Sequence, residues 1–300
     1  MKELIIISGK GGTGKTSMTA AIASLASRSG TAVFADCDVD AADLHLLFNP
    51  KVQEKREFIS GHVARIDPLK CISTGQDGGC ADCAALCRFD AISLSGAAGC
   101  VVEEGSCEGC GVCVRFCPAH AIDFPDRRCG EQYVSNTRFG VLVHAALDIR
   151  AENSGKLVTS VRKDAKRIAG EKNADWIIVD GSPGTGCPVI ASITGADAAL
   201  VVTEPTVSGL HDLERVASLA KHLGVRFFVA VNKADINPAQ SDEIRSWCGR
   251  NSVPFLGTMP WDPSVTRAQI AGKSIIEYNP SCPASLAAAS LWDALVAELQ

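Results

Sequence analysis

Short apolar runs alternate with longer helical stretches through most of the chain. Helical length and composition are found, for example, in residues 17–26 and 210–223. The apolar runs have the length of buried strands, and they cover residues 4–7, 33–35, 176–179, 198–202, 227–231 and 254–257. Strands that alternate with helices form a parallel sheet covered on both faces. The pattern therefore predicts an α/β fold with a doubly wound, mostly parallel sheet, whose ligand site lies at the carboxyl ends of the strands.

One cysteine-rich segment interrupts this alternation, roughly between Gly61 and Phe124. We therefore expect two domains, which a length of 300 residues also favours. Residues 1–60 and 125–300 would form the α/β domain, and residues 61–124 an inserted domain. The insert has few apolar residues for a core, so bound metal would supply part of its folding energy.

Composition excludes several classes of protein. The net charge of −5 and the absence of a long basic run argue against nonspecific nucleic-acid binding. No stretch is long and apolar enough to cross a membrane. The segment 284–300 lacks lysine and arginine, which favours a helix packed on the domain over a basic membrane anchor. Fourteen cysteines without an apolar signal stretch indicate a reducing cytoplasm rather than a disulfide framework.

The loop after the first apolar run reads GKGGTGKT, from Gly9 to Thr16, and a helical stretch follows it. Its glycines allow backbone N–H groups to point inward, so that these groups and the helix N-terminus can hold phosphate oxygens. Lys15 would reach the β- and γ-phosphates, and the Thr16 hydroxyl would bind Mg²⁺. The predicted nucleotide site comprises Gly9, Gly11, Gly12, Thr13, Gly14, Lys15, Thr16 and Ser17.

The cysteine spacing indicates iron–sulfur chemistry. The run Cys107-x2-Cys110-x2-Cys113-x3-Cys117-Pro118 has the spacing of bacterial ferredoxins, in which the fourth cysteine binds the neighbouring cluster. A structural zinc site is the main alternative. An earlier half-motif, with Cys80, Cys83 and Cys87 at the same spacing, predicts a second cluster.

Crossed ligation assigns the cysteines to two [4Fe–4S] clusters. Cluster 1 would be held by Cys80, Cys83 and Cys117, and cluster 2 by Cys87, Cys107, Cys110 and Cys113. The fourth ligand of cluster 1 is ambiguous. Regular spacing points to Asp77, whereas Cys71 farther upstream offers the sulfur that iron clusters prefer. We favour Cys71, with Asp77 or an incomplete cluster as the alternatives.

The phosphate loop resembles the deviant loop of the MinD, ParA and nitrogenase iron protein group, because Lys10 is a second lysine in addition to Lys15 of the ordinary motif. The resemblance implies that Lys10 reaches across a nucleotide-sandwich dimer and stabilises charge during phosphoryl transfer. Residues 33–38 resemble the second strand and switch I of that group, which implies that Asp38 orients the attacking water and contacts the metal shell. Residues 176–184 resemble Walker B and switch II, which implies that Asp180 holds Mg²⁺ through water.

Two further motifs concern the recognition of the nucleotide base and the ligands of a third iron–sulfur cluster. Asn232-Lys233-Ala234-Asp235 alone would indicate a GTPase, but the resemblance implies that Asn232 and the loop Pro260-Trp261-Asp262 contact adenine. Cys187 lies where the nitrogenase iron protein has a cluster ligand. We favour packing over ligation for Cys187, and we expect Cys37, Cys100, Cys129, Cys248 and Cys282 to be small buried hydrophobic residues.

Nearly the whole chain resembles MinD-superfamily ATPases that contain an inserted ferredoxin domain. The resemblance implies an ATPase that uses ATP, Mg²⁺ and two [4Fe–4S] clusters. Our first hypothesis is that this ATPase, expected in the cytoplasm, passes electrons to a redox or acceptor protein. It implies a homodimer, or a heterodimer with a paralogous ferredoxin-containing ATPase. Two alternatives stay open: an ATPase that assembles or carries iron–sulfur or metal cofactors, and a MinD-like positioning ATPase with structural clusters.

Overall fold

The fold divides into two compact units. The structure is a computed structural model and describes residues 1–74, 79–95, 99–149, 151 and 154–299. Unit 1 comprises Met1–Arg56, Gln132–Ala146 and Ser154–Gln300, and unit 2 comprises Glu57–Glu131 and Leu147–Asn153.

Unit 1 is built on a parallel sheet. Its strands are β1 (Lys2–Ser8), β2 (Ala32–Asp36), β9 (Val141–Leu147), β10 (Trp176–Pro183), β11 (Ala198–Thr203), β12 (Phe227–Asn232) and β13 (Phe255–Met259). They are hydrogen-bonded in the order β13-β12-β11-β1-β10-β2-β9, and each of these pairs is parallel. Two long strands, β8 (Asp126–Asn136) and β3 (Lys51–His62), follow β9 in the sheet order. The predicted α/β fold with a mostly parallel sheet is confirmed.

Helices cover both faces of this sheet. They are α1 (Lys15–Ser29), α2 (Leu44–Phe48), α5 (Ser154–Glu171), α6 (Cys187–Ile193), α7 (Val207–His222), α8 (Pro238–Arg250), α9 (Pro263–Ile270), α10 (Ile275–Tyr278) and α11 (Pro283–Leu299). Successive strand residues point to opposite faces, so Leu4 and Ile6 of β1 join the core formed with α1 and α11, while Ile5 lies on the other face. All three are fully buried.

Helix α11 is part of the core. Leu291, Trp292 and Leu295 are buried in the same apolar cluster as Leu4 and Ile6, and the Trp292 ring lies 5.1 Å from that of Trp176. The prediction of a packed helix at residues 284–300 is thus confirmed for the described residues 284–299. Among the described residues, none of the helices has both the length and the apolarity that crossing a membrane requires.

Unit 2 is small and contains an internal repeat. It has the helices α3 (Asp82–Leu86) and α4 (Val112–Phe116), a 3₁₀ turn at Ile72–Thr74, and the antiparallel pairs β4 (Arg65–Ile66) with β7 (Ile122–Asp123) and β5 (Ile92–Leu94) with β6 (Cys100–Val102). The two helices are each followed by an extended cysteine, Cys87 or Cys117, and three residues later by a left-handed residue, Asp90 (φ 51°) or His120 (φ 49°). The same turn forms after both cysteines, although Arg88 stands where Pro118 stands in the second copy.

Candidate functional site

The phosphate loop connects β1 to α1 at the carboxyl edge of the sheet. Gly12 (φ 80°) and Gly14 (φ 89°) have left-handed backbone, which glycine adopts without strain. A Cβ at Gly14 would lie 2.2 Å from Asn232 Nδ2. Position 14 therefore needs glycine for its conformation and for the close approach of β12.

Four of the predicted site residues come together behind this loop. The Lys15 Nζ atom lies 2.9 Å from Asp180 Oδ1 and 3.3 Å from Asp38 Oδ2. The Thr16 hydroxyl donates to Asp180 Oδ2 at 2.8 Å. β1, β2 and β10 are neighbours in the sheet order, so the residues at and beyond their carboxyl ends meet. Asp180 is 1% exposed, so its carboxylate depends on these donors to compensate for lost water.

The buried charges shift one another's pKa. Burial lowers the pKa of the Lys15 amine, but the carboxylates of Asp180 and Asp38 outweigh burial, and the pKa of Lys15 is raised above its ordinary value. Burial and the neighbouring Asp180 raise the pKa of Asp36 well above its usual range, and they raise the pKa of Asp38 against the opposing effect of Lys15. Lys15 is thus a firmly charged ammonium facing several carboxyl groups.

Two cavities adjoin the loop. A cavity of about 490 Å³ is lined by Gly11, Lys15, Thr16, Asp38 and Ser182, among others. A smaller one of about 190 Å³ is lined by Gly12, Gly14, Ser17, Asn232, Lys233, Pro260, Trp261, Asp262, Val265, Thr266 and Gln269. The volume of the larger cavity lies within the usual range of ligand sites. The second brings together the three residues expected at adenine, Asn232, Pro260 and Asp262.

Asn232 and Asp235 have structural partners in this arrangement. The Asn232 side chain donates to the Thr13 carbonyl at 2.8 Å and accepts the Lys233 N–H at 2.9 Å. The Asp235 carboxylate accepts the Trp261 N–H at 2.6 Å. Asp262 accepts the N–H of Ser264 and caps α9. The Asn-Lys-x-Asp segment therefore forms hydrogen bonds that hold the phosphate loop and the Pro260–Asp262 loop in place.

Lys10 is paired within its own chain. Its Nζ atom lies 2.6 Å from Glu204 Oε1 and 3.0 Å from Ser208 Oγ. Burial raises the pKa of Glu204, but the cations of Lys10 and Lys233 outweigh burial and hold it below its ordinary value. Lys10 is 33% exposed at its side chain, so this pair is accessible to competing partners.

Sequence reasoning missed several residues of the site. Gln269 of α9 lines both cavities and donates to Ser17 Oγ at 2.7 Å. No local sequence motif indicates that this residue belongs to the site. Thr19 donates to Asp180 Oδ1 at 2.9 Å, and its position one helical turn after Lys15 could have revealed it. Two further residues were also missed. Ser182 donates to the Cys37 carbonyl at 2.6 Å, and Glu204 forms the ion pair with Lys10.

In unit 2, one cavity is lined by cysteines. Its walls include Cys71, Cys80, Cys83, Cys100 and Cys117, together with apolar residues such as Ile66 and Ile122. Four of these cysteines are the set expected for cluster 1 with Cys71 as the fourth ligand. Cys100 is an addition, and Asp77 lies outside the described residues.

A second group of thiols surrounds Cys113. Burial raises the pKa of Cys113, and the nearby thiols of Cys107, Cys110 and Cys87 raise it further. These are the four cysteines expected for cluster 2. Among the residues that the structure describes, no three histidine, cysteine or acidic side chains stand close enough together to hold a single metal ion.

The remaining cysteines differ in exposure. Cys37, Cys129, Cys248 and Cys282 are buried, as expected for small hydrophobic residues. The expectation that Cys187 packs in the interior was wrong. Cys187 is exposed because it is the first residue of α6, directly after the loop that ends at Gly186.

Sequence comparison finds several relatives. The model of the CobQ/CobB/MinD/ParA nucleotide binding domain matches residues 4–275. The uncharacterised protein MJ0578 of Methanocaldococcus jannaschii is 33% identical over 235 residues, 78% of this chain and 79% of its own. MJ0579 of the same organism is 23% identical over 284 residues, 93% of this chain and 94% of its own. The cytosolic Fe–S cluster assembly factor NBP35 of Eremothecium gossypii is 30% identical over 138 residues, 40% of this chain and 41% of its own.

Solved structures share the fold. The cell division ATPase MinD of Pyrococcus furiosus superposes with a TM-score of 0.59 and 20% identity, over 99% of both chains. The septum site-determining protein MinD of Pyrococcus horikoshii, in complex with Mg-ADP, has a TM-score of 0.59 and 18% identity, over 100% of this chain and 98% of its own. At these identities the likeness establishes the fold alone.

Proposed function

The chain belongs to the CobQ/CobB/MinD/ParA nucleotide-binding family, and from this premise we propose that it is an ATPase that couples its nucleotide state to electron transfer through two [4Fe–4S] clusters. The observation that carries the ATPase proposal is the meeting of Lys15, Thr16, Asp38 and Asp180 behind a glycine loop. The iron–sulfur proposal rests on the grouping of the cysteines in unit 2.

Each residue of the loop has a role in the proposed hydrolysis. The N–H groups of the loop and of the first turn of α1 hold phosphate oxygens. Lys15 would turn from Asp180 to the phosphates, and Thr16 and Asp180 would hold Mg²⁺, which would supply positive charge to offset the negative charge on the phosphate oxygens. Asp38 orients the attacking water. Lys10 leaves Glu204 and acts across a dimer interface.

ATP is the proposed nucleotide rather than GTP. Reading guanine would require the Asp235 carboxylate at the base, but Asp235 accepts the Trp261 N–H through Oδ1 and does not line the cavity beside Asn232. The MinD of Pyrococcus horikoshii is a structural relative that binds Mg-ADP. Competition between ATP and GTP for the same site tests this choice.

We assign the inserted segment, residues 61–124, to a two-cluster ferredoxin domain. Cys71, Cys80, Cys83 and Cys117 share one cavity, and Cys87, Cys107, Cys110 and Cys113 form the second group. The thiolates of a cluster bind different irons, so they stand farther apart than the ligands of a single ion. The cysteine positions therefore fit a cluster better than zinc. When bound, the clusters would supply one-electron chemistry.

A second candidate function is the assembly or carriage of iron–sulfur clusters. The similarity to the assembly factor NBP35, although limited to 40% of this chain, favours it. It predicts that a cluster passes to an apo-acceptor, whereas electron transfer requires clusters that stay bound. The fold likeness to MinD keeps a positioning ATPase with structural clusters as a third candidate.

The proposed active unit is a dimer. Two chains of one organism, MJ0578 and MJ0579, each match most of this chain, so a paralogous partner is a reasonable alternative to a second identical copy. Purification from the native host with identification of copurifying proteins tests both forms and identifies the redox or acceptor protein.

The decisive experiment uses anaerobically purified protein. Iron, sulfide, EPR spectra and cluster potentials are measured with ATP, with ADP and without nucleotide. Coupling requires that the nucleotide states differ in affinity for a partner or an electron. We expect a nucleotide-dependent shift in potential or partner affinity that is absent in Lys15→Gln. Identical values in all states, with both clusters present, would refute the coupling, and release of a cluster to an apo-acceptor would favour the carrier.

A further inference from the structure

Five thiols, not four, surround the proposed site of cluster 1. Cys100 lines the same cavity as Cys71, Cys80, Cys83 and Cys117, although it has no motif spacing to any of them. A [4Fe–4S] cluster takes one protein ligand at each of its four irons. With Cys80, Cys83 and Cys117 on three irons, Cys71 and Cys100 compete for the fourth.

The contacts of Cys100 distinguish it from a packing residue. Its Sγ atom lies 3.6 Å from Ser73 Oγ and 4.0 Å from the carbonyl oxygen of Cys80, one of the expected ligands. Cys71 and Cys83 pack against the apolar cluster that contains Cys100, and all three line the same cavity. Both candidate sulfurs therefore belong to the residues that surround one site.

The backbone holds Cys100 firmly in this place. Cys100 is the first residue of β6 and pairs with Leu94 of β5, and the hairpin is closed by a 2.8 Å hydrogen bond from Ser95 N–H to the Gly99 carbonyl. Cys100 is 3% exposed. Cys71 is anchored separately, through its N–H to the Asp67 carbonyl at 3.0 Å.

We propose that Cys100 is an iron ligand that shares the fourth coordination position of cluster 1 with Cys71. The inference rests on the proposed iron–sulfur function and adds a residue that the ferredoxin spacing does not contain. Exchange needs no oxidant or reductant. If Cys100 replaced Cys71 as the ligand, one sulfur–iron bond would form as the other broke, and the Cys100 thiol proton would pass to the Cys71 sulfur.

The test is an alanine series in the full chain: Cys71→Ala, Cys100→Ala and the double variant, with Cys248→Ala as a control for loss of a buried thiol in unit 1. Each protein is reconstituted anaerobically with ferrous iron and sulfide, and iron and sulfide per chain and EPR spectra are measured. Two clusters correspond to about eight irons per chain. We expect about eight irons in the wild type, in both single variants and in the control.

The double variant is expected to lose iron from cluster 1 and to show the EPR signal of a three-iron cluster, or to lose the whole cluster. The cluster 2 spectrum, retained in every variant, reports that unit 2 is folded. If Cys71→Ala alone loses iron like the double variant, Cys100 is no ligand and the inference is overturned. If Cys100→Ala alone loses iron, Cys71 does not fill the fourth position in its absence, and the proposal that the two cysteines share this position is overturned. A wild type without iron overturns the proposed function as well, so the two failures are distinguishable.

Discussion

Lys15 and Asp180 form a buried ion pair, with Nζ and Oδ1 2.9 Å apart. The lysine expected on phosphates and the carboxylate expected on Mg²⁺ thus satisfy each other's charge. Bound nucleotide must replace this pair with contacts that are at least as favourable, because an unpaired buried charge is costly.

Among the described residues, Lys15 is the only cation that forms an ion pair with Asp180. Replacing Lys15 removes this partner. We expect Lys15→Gln to lower the ATP hydrolysis rate at least about 100-fold, since a positioned donor at developing negative charge contributes on that order. The exposed Lys172→Gln is the matched control and should retain the wild-type rate. Phosphate release measures the rate, and a Lys15→Gln protein with near-normal turnover would exclude this lysine from the mechanism.

Gly14 tests the geometry of the loop. Gly14→Ala places a Cβ 2.2 Å from Asn232 Nδ2 and forces alanine into left-handed backbone. The left-handed backbone alone costs about 1–2 kcal/mol. We expect a lower thermal midpoint and weaker ATP binding.

The control for Gly14 is Gly170→Ala. Gly170 lies in α5, where an added Cβ meets no atom within 4 Å. Alanine there should raise the free energy of unfolding by about 0.4–1 kcal/mol without affecting ATP binding. Equal ATP affinity in the two variants would contradict the close approach of Asn232 to the loop.

The Lys10–Glu204 pair predicts a change in dimerisation. Glu204→Gln weakens the contact that holds Lys10 in its own chain, and a partly exposed pair is worth roughly 1 kcal/mol or less. The ATP-dependent dimer should therefore form up to about fivefold more readily. Lys10→Ala should bind ATP but fail to dimerise. Sedimentation with and without ATP measures both effects, and dimerisation of Lys10→Ala at wild-type strength would refute the role across the interface.

His144 predicts how stability depends on pH. Burial and the neighbouring His45 lower its pKa to about 4, and its ring stacks with Tyr133 while Nε2 lies 3.0 Å from Ser135 Oγ. The unfolded chain, with a histidine pKa near 6.5, therefore binds more protons than the folded chain between about pH 4 and pH 6.5. Stability should fall as the pH is lowered through this window, by about 2–3 kcal/mol in all.

His144→Gln removes the titrating group and can still bond Ser135. The free energy of unfolding of the wild type should fall by about 2–3 kcal/mol relative to that of the variant as the pH is lowered from 7 to 4. Parallel curves for variant and wild type between pH 4 and pH 7 would show that His144 does not titrate in this way.

Local motifs in the sequence were sufficient to predict the phosphate loop and six strands of the sheet, but not β3, β8 or β9. The apolar runs became β1, β2, β10, β11 and β12, because a strand buried on both faces shows itself as an uninterrupted hydrophobic run. Strand β3 was not predicted. Its residues 51–57 are all exposed, so their sequence carries no apolar pattern.

The contacts between distant segments could not be predicted. Asn232 meets Thr13 across 219 positions, and Gln269 meets Ser17 across 252. Cys100 has no spacing signal because its position beside Cys83 comes from the β5–β6 hairpin rather than from a motif. Such relationships depend on the packing of whole elements, which short patterns do not encode.

The buried carboxylates behind the phosphate loop have a thermodynamic consequence. If Lys15 turns to a triphosphate, Asp180 keeps the hydroxyls of Thr16 and Thr19 but loses its ammonium partner. A second positive charge at that carboxylate would remove the penalty. Nucleotide and divalent cation should therefore bind with positive cooperativity, each raising the affinity of the other by the same factor. The dependence of nucleotide binding on a divalent cation therefore follows from the balance of charge between Lys15 and Asp180.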